Sequence, residues 1–435
     1  MKTIDKIPTG KIGRSGKMLQ TGMKIGGNYL KYYGKKAFNS ETDREELDRN
    51  NADDIYNGLK SLKGSALKLA QMLSMEKNLL PGAYVEKFSL AQFSVPPLSA
   101  PLVRKTFKQY HGKYPEELFD EFSLQSVNAA SIGQVHKAVK DGKQLAVKIQ
   151  YPGVAESIGS DLAVLKPIAL KLFNFKAKDS EKFFAEVESK LMEETDYELE
   201  VLQSKEISAA CEQLPNLLFP KYYSELSSEK IITMDWMNGR HLSEFAKENK
   251  DKEKADKVGQ SLWDFYMYQV HKLKAVHADP HPGNFLVDEQ ANLIVLDFGC
   301  IKRIPQEFYE PYFKLTQKEH FEDPILFKQT LMELEILKET DSARETEYFS
   351  GLYREMLSLF SRPLNTEEFD FSDKAFLAEI AGLSEKYSKD TELRKLDANR
   401  GSEHFIYVSR ALLGLYNLLH ELGAKVKTRN YEKLL

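Results

Sequence analysis

The sequence predicts an α+β protein in which a small sheet-rich lobe falls between a helical N-terminal extension and a larger, mainly helical C-terminal lobe. Three observations predict this order. Apolar residues first recur at three- and four-residue steps, short apolar runs joined by turn residues follow, and helical periodicity dominates the second half. The predicted boundaries place a basic flexible leader at 1–40, the extension at 41–120, the sheet-rich N-lobe at 121–237 and the helical C-lobe at 238–435.

Length and composition are those of an intracellular globular protein. The 435 residues carry 61 Lys+Arg and 65 Asp+Glu, a net charge of −4, and 42% of them are hydrophobic, which excludes a disordered chain. No apolar run reaches the ~20 residues that a membrane-spanning helix needs, and two cysteines make no disulfide framework. With a pI of about 6.2, the chain lacks the basic character of a nucleic-acid-binding protein. We expect a cytoplasmic protein whose membrane contact, if any, is peripheral.

The basic leader departs from the nearly equal numbers of positive and negative charges in the chain as a whole. Residues 1–36 contain eight lysines and Arg14 against Asp5 alone. Glycines recur from Gly10 to Gly27, which argues against a long rigid helix. The segment is either an arm that contacts anionic lipid headgroups or a solvated run of charge, and both interpretations stay open.

The later elements each have a pattern of their own. The extension carries one apolar helical stripe formed by Leu59, Leu62, Ala66, Leu69 and Leu73. Asp141-Gly142, between two alternating apolar runs, predicts a β-hairpin. A long helix is predicted over 181–211, and a second hairpin, with its turn at 288–292, lies within the helical lobe.

The strongest chemical signal lies between His277 and Gly299. Asp279 precedes Asn284 by five positions, and Asp297 of an Asp-Phe-Gly sequence follows a further 13 positions on, after the predicted hairpin. Protein kinases space a catalytic carboxylate and two metal-binding oxygens in this way. The spacing predicts phosphoryl transfer from ATP, with Asp279 orienting the nucleophile and with Asn284 and Asp297 holding Mg²⁺.

Lys148 is the candidate for binding the ATP phosphates, since Leu145-Ala146-Val147-Lys148 has the form of the kinase lysine strand. Its charge needs a carboxylate partner. Glu194 and Glu198, one helical turn apart in a run of acidic residues, are the first and second choices for that partner.

A loop that overlays the kinase glycine-rich loop precedes this strand. Gly133 and Val135 keep the kinase pattern, whereas Asn128 and Ala130 occupy the positions of its first two glycines. Because alanine resists positive φ, we expect the nucleotide to be gripped differently from that of an ordinary kinase.

Together these motifs resemble the UbiB-type atypical kinases, also called AarF-domain proteins, over roughly residues 59–303. The matching segments are Ala129 to His136, Ala146 to Gly153, Glu194-Thr195-Asp196-Tyr197 and His277 to Asn284. The resemblance implies a two-lobed protein-kinase-like fold and favours Glu194 as the partner of Lys148. The nucleotide-binding candidates are then Ala129, Ala130, Ser131, Gly133, Val135, Lys148 and Met237.

The Lys-x-Gly-Gln helix motif of that family is present as Lys68-Leu69-Ala70-Gln71, with alanine in place of glycine. Lys68 and Gln71 therefore join the nucleotide-binding candidates through the resemblance. Taken without the resemblance, the two residues would simply belong to the solvent-exposed face of an amphipathic helix.

The resemblance also implies a function. It points to ATP and Mg²⁺ as cofactors, to a small-molecule or lipid-associated substrate and to support of isoprenoid-quinone biosynthesis, with proteins of that pathway as partners and no nucleic acid. The alternatives are a small-molecule kinase and a nucleotide-switched, pseudokinase-like scaffold. A pure scaffold has no need of Asp279, so the intact set favours an enzyme. The altered loop disfavours an ordinary protein kinase, and so does His281, which stands where such kinases commonly carry a lysine.

Overall fold

The computed structural model describes residues 11–37, 44–62, 64, 66–69, 82–89, 97–129, 132–173, 177–390, 392–393, 396, 400–433 and 435. The chain divides into two compact units. The first unit comprises residues 1–201 and 221–236, and the second comprises residues 202–220 and 237–435. The predicted extension and sheet-rich lobe thus belong to one unit, whereas residues 202–220 belong with the helical lobe.

Within the described residues, the first unit combines helices with a five-stranded sheet. Its helices are α1 (Lys11–Ala37), α2 (Arg44–Leu62), α3 (Gly82–Ser89), α4 (Ala100–Tyr110), α5 (Val154–Phe173), α6 (Ala177–Glu194) and the start of α7 (Tyr197–Ala210). Its strands are β1 (Glu121–Phe122), β2 (Asn128–Ala129), β3 (Gly133–Lys140), β4 (Lys143–Gln150) and β6 (Ile231–Asp235). The strand order is β1-β3-β4-β6, with β2 also beside β3.

The predicted hairpin is confirmed. Strands β3 and β4 pair antiparallel from Gly133 opposite Gln150 to Lys140 opposite Lys143. Asp141 and Gly142 connect them at φ values of 49° and 74°, the left-handed conformation that a two-residue hairpin turn requires and that glycine adopts without strain. The turn chemistry therefore sets the register that places Lys148 opposite Val135.

The expectation that the basic leader forms no long helix is wrong over Lys11–Ala37, which is a 27-residue helix. Packing explains the outcome, because Ile25 is buried in the hydrophobic core with Ile55 and Leu59 of α2. Tertiary contacts of this kind override the helix-breaking tendency of glycine.

The single long helix predicted over 181–211 is also wrong, because the chain leaves helical geometry at Thr195 and Asp196. The Asp196 carboxylate accepts a hydrogen bond of 2.9 Å from the backbone N–H of Leu199 and so caps the first turn of α7. Leu59, Leu62, Ala66 and Leu69 are buried as the apolar stripe predicts, while Leu73 lies outside the described residues.

The second unit is mainly helical. Its helices after α7 are α8 (Leu242–Glu248), α9 (Lys252–Tyr268), α10 (Gln306–Lys314), α11 (Lys318–Glu322), α12 (Pro324–Glu333), α13 (Ala343–Phe360), α14 (Lys374–Ser388) and α15 (Glu403–Leu422). Its strands are β5 (Leu217–Leu218), β7 (Arg240–His241), β8 (Ala275–His277), β9 (Phe285–Val287), β10 (Leu293–Val295), β11 (Ile301–Arg303), β12 (Glu368–Asp370) and β13 (Lys425–Lys427).

Buried aromatic residues of α9 and α15 centre the core of the second unit. Trp263 and Tyr416 stack with ring centroids 6.4 Å apart, and the Trp263 indole donates a 2.8 Å hydrogen bond to the carbonyl of Thr428. Every helix within the described residues is too short or too polar to span a lipid bilayer.

Candidate active site

In the second unit, a hairpin brings the predicted metal ligands together. Strands β9 and β10 pair antiparallel with Phe285 opposite Val295, which confirms the predicted hairpin. At its open end the backbone N–H of Leu296 donates to the carbonyl of Asn284 at 3.0 Å. Asn284 therefore lies beside the segment that carries Asp297.

Asp279 and Asn284 are joined directly. The Asn284 side-chain amide donates to the carbonyl of Asp279 at 3.1 Å and to its Oδ2 at 3.2 Å. The backbone N–H of His281 also donates to the Asp279 carbonyl at 2.7 Å. The five-residue spacing between Asp279 and Asn284 therefore corresponds to a loop that these hydrogen bonds close. The bond to Oδ2 holds the Asp279 carboxylate in place.

Both the side chain and the backbone carbonyl of Asp297 are held by hydrogen bonds. Its Oδ1 accepts from the backbone N–H of Gly299 at 2.8 Å, and its carbonyl accepts from His277 Nε2 at 2.7 Å. Phe298 is fully buried against Phe219 and Phe265, with ring centroids 5.9 and 6.4 Å away. The Asp-Phe-Gly segment is therefore held by its buried aromatic side chain as well as by hydrogen bonds.

These groups fit Mg²⁺. Since the NH₂ end of Asn284 is bonded to Asp279, its Oδ1 is the end that can bind a cation, and Asp297 supplies a carboxylate. In the part of the chain that the structure describes, no three His, Cys, Asp or Glu side chains cluster as a metal site. Two protein oxygens suit Mg²⁺, because it usually takes its other ligands from phosphates and water.

Helix α15 packs against the candidate catalytic loop (residues 278–284), a contact that no sequence pattern predicts. Gly414 lies so close to Pro280 that a Cβ on it would come within 2.0 Å of the Pro280 Cγ. Tyr407, one of the earlier residues of α15, forms a small buried cluster with Ala278 and Cys300. A helix more than 100 residues downstream therefore sets the position of the residues on either side of Asp279.

Burial raises the pKa of the Tyr266 phenol on α9 well above its usual value, and the nearby charge of Asp279 raises it further. Tyr266 is therefore a neutral phenol at every physiological pH. An uncharged phenol therefore lies near the Asp279 carboxylate.

In the first unit, Lys148 is paired with Glu200. The distance from Lys148 Nζ to Glu200 Oε1 is 2.7 Å, and the two side chains are 17% and 4% exposed. The ammonium group also lies 5.0 Å from the centre of the Tyr197 ring. Lys148 is thus held in place from α7 by a carboxylate and an aromatic face.

The structure therefore corrects the sequence-based choice of partner. Glu194, predicted for Lys148, binds Lys68 at 3.0 Å, and these side chains are only 12% and 15% exposed. Glu198, the second choice, is exposed. The helix is interrupted at Asp196, between α6 and α7. Counting helical turns from Glu194 to Glu198 assumes one continuous helix, so it does not identify Glu200 on α7.

The nucleotide-loop candidates are described in part. Ala129 pairs with Gln134, Val135 lies opposite Lys148, and Met237 follows β6 as a half-buried residue. A Cβ at Gly133 would lie 2.7 Å from the Ile149 carbonyl oxygen, so this position requires glycine. The candidates Ala130, Ser131 and Gln71 lie outside the described residues.

A buried polar chain next to this loop went unpredicted. Gln134 accepts from the backbone N–H of Leu98 at 2.6 Å and donates to His136 Nε2 at 2.8 Å. His136 Nδ1 in turn donates to the Ser123 carbonyl at 2.8 Å. Desolvation lowers the pKa of His136 to about 4, so the imidazole is neutral, as this pattern of donors and acceptors requires.

A small antiparallel sheet with a carboxylate-paired lysine, and a hairpin that joins an Asp–Asn loop to Asp-Phe-Gly, define a two-lobed protein-kinase-like fold. The ABC1 atypical kinase-like domain matches residues 90–324. The chain belongs to this atypical kinase family, as its resemblance to UbiB-type proteins implied.

Relatives and a solved structure agree with this assignment. The chain is 27% identical over 332 residues to the probable serine/threonine-protein kinase abkA of Dictyostelium discoideum, covering 71% of this chain and 59% of that protein. It is 27% identical over 393 residues to the mitochondrial atypical kinase COQ8B of Danio rerio, covering 87% and 62%. The chain thus spans less than two thirds of the length of these relatives. The complex of Rv3197 with erythromycin from Mycobacterium tuberculosis superposes with a TM-score of 0.58 at 25% identity, covering 89% of this chain and 96% of that one.

Proposed function

We propose that this protein is an Mg²⁺-dependent ATPase or phosphotransferase of the UbiB type that acts on or near membrane lipids and supports isoprenoid-quinone biosynthesis. The observation that carries the catalytic part is the closed loop from Asp279 to Asn284 at the open end of the hairpin that returns Asp297. The lipid and quinone part is supported by the family resemblance and by relatives that carry the COQ8 name.

Each candidate residue has a defined role in this proposal, and Asn284 has two. Asp279 accepts a hydrogen bond from the attacking hydroxyl or water and orients it, and Asn284 keeps the Asp279 carboxylate in place. The Lys148 ammonium neutralises phosphate charge, and Glu200 holds Lys148 ready for it. Bound at Asn284 and Asp297, Mg²⁺ supplies the neutralisation of charge on the phosphate oxygens. Positioning and electrostatics supply most of the rate enhancement in phosphoryl transfer.

The proposal is tested by phosphate release from ATP, with and without anionic vesicles and phenols that resemble quinone precursors. Asp279→Asn keeps the shape of the side chain but removes its charge. We expect turnover to fall by about 10²–10⁴-fold, as general-base removal typically does, while the affinity for ATP stays near that of the wild type. Glu289→Gln is the matched control, because Glu289 is an exposed carboxylate in the turn of the same hairpin.

Equal turnover in Asp279→Asn and wild type would contradict the enzyme assignment and favour the nucleotide-switched scaffold. Stimulation of the wild type by vesicles or phenols would favour the lipid and quinone role. Turnover that neither of them changes would favour a small-molecule kinase or a plain ATPase.

A further inference from the structure

One side of α1 carries a row of exposed apolar side chains. Met23 is 65% exposed, Leu30 is 77% exposed and Tyr33 is 57% exposed. Met23 and Leu30 are seven residues apart and Tyr33 follows three residues later, so all three lie on one side of the helix. Large apolar side chains grouped in this way on a surface mark an interaction site.

The opposite side of α1 fixes the orientation of this row. Thr21 and Ile25 are buried, and the Asn28 amide donates to Asn51 at 3.1 Å and to Asp54 at 2.9 Å, both on α2. The helix is therefore held in one rotation about its axis. The apolar row faces outward because of this packing.

Lysines border the apolar row. Lys24 and Lys31 follow Met23 and Leu30 by one position each, and both are exposed. Lys24 lies 3.8 Å from Asp54 but keeps 56% of its side chain exposed. Residues 1–36 as a whole carry eight lysines and Arg14 against Asp5, so the helix belongs to a strongly cationic segment.

This combination selects the kind of partner. Lysine is depleted at protein–protein interfaces, whereas helices that lie in a membrane interface combine an apolar face with Lys and Arg beside it. A helix of 27 residues is about 40 Å long and offers an extended contact. A Cβ at Gly16, Gly27 or Gly34 would meet nothing within 4 Å, so these glycines also border open space.

We propose that this face of α1, Met23, Leu30 and Tyr33 bordered by Lys24 and Lys31, docks the protein on an anionic lipid bilayer. The apolar side chains enter the boundary between headgroups and acyl chains, and the two ammonium groups bind lipid phosphates. This docking face is a feature that the proposed function does not include. The proposal rests on the proposed function only in taking a membrane as the place where the protein acts.

The test is co-sedimentation of the full chain, without nucleotide, with vesicles of phosphatidylcholine alone or mixed with phosphatidylglycerol. We expect binding to the mixed vesicles, weakened by added salt. Leu30→Gln should lower the affinity about tenfold, because it removes a side chain that enters the lipid, and Lys24→Gln or Lys31→Gln should each lower it about fivefold. Ile325→Gln is the matched control, since Ile325 is 70% exposed in the second unit.

Unchanged binding by Leu30→Gln, or equal binding to both kinds of vesicle, would overturn the proposal. Self-association that Leu30→Gln abolishes, with no vesicle binding by the wild type, would identify a second copy as the occupant and would overturn it too. Failure of the proposed function is distinguishable, because Asp279→Asn should bind vesicles like the wild type. The α1 variants should keep the wild-type turnover in vesicle-free buffer.

Discussion

The two units hold their candidate catalytic groups by different means. In the first unit, two ion pairs of low exposure fix the cationic groups, Lys148 with Glu200 and Lys68 with Glu194. In the second unit, amide and backbone hydrogen bonds fix Asp279 and Asp297, and a helix packs against the loop at Gly414. The first arrangement depends on charge and the second on shape. Substitutions that change only one of these properties should therefore affect the two units differently.

A change of volume in the second unit should have the largest effect. Gly414→Ala adds a methyl group where Pro280 leaves no room, so the catalytic loop must shift. A displacement of about 1 Å is enough to cost about 10²-fold in turnover, and we expect a loss of that order in phosphate release, with some loss of thermal stability from overpacking.

Gly382→Ala is the control, because Gly382 lies in α14 and a Cβ there meets nothing within 4 Å. It should leave turnover unchanged. Wild-type turnover in Gly414→Ala would break the comparison, since the loop would then not depend on shape at this point.

A change of charge in the first unit comes next. Glu200→Gln keeps the volume but leaves the Lys148 ammonium, only 17% exposed, without its carboxylate. We expect the affinity for ATP to fall about tenfold, measured by calorimetry, because the ammonium loses the carboxylate at 2.7 Å that holds it in position for the phosphates. Glu198→Gln, at an exposed position of the same helix, should bind ATP like the wild type. If the two variants lose affinity equally, the overall negative charge of the helix, and not the ion pair between Lys148 and Glu200, controls the affinity for ATP.

The smallest effect concerns acid stability, where the units should behave alike. Desolvation lowers the pKa of His136 in the first unit and of His271 in the second to about 4, below the usual 6.5 of the unfolded chain. Between pH 6.5 and 4 the unfolded state therefore binds protons that the folded state does not. The stability is complete above pH 6.5 and is lost as the pH falls.

Each histidine should contribute up to about 1.4 kcal/mol per pH unit to this loss. Denaturant unfolding between pH 6.5 and 5.5, above the range of most carboxylates, measures the slope. His136→Gln and His271→Gln should each reduce the slope by up to one proton. A slope that neither variant changes would mean that other groups control acid unfolding.

The same contrast explains what the sequence could predict. Asp279, Asn284 and Asp297 lie within 19 residues and are linked by one loop and one hairpin, so local spacing contains their arrangement. The partner of Lys148 depends on where α6 ends and α7 begins, and the cap at Asp196 that breaks the helix resembles the other acidic residues around it.

Other features depend on tertiary packing and cannot be predicted from local sequence patterns. Gly414 has no chemical signature, and only the folded second unit shows that it meets Pro280. The glycines of α1 argued against a helix, but contacts of Ile25 with the core decide the matter. The buried chain through Gln134 and His136 joins residues up to 36 positions apart, which local patterns do not reveal.

The contact between Gly414 and Pro280 also bears on where this protein can be cut. The region that matches the atypical kinase domain ends at residue 324, whereas the glycine that accommodates the catalytic loop lies on Glu403–Leu422. A recombinant fragment designed on the matched region would contain every polar group of the catalytic loop and still lack the helix behind it. For expression, crystallisation or the grafting of this site onto another scaffold, the functional boundary lies about 100 residues beyond the recognisable domain.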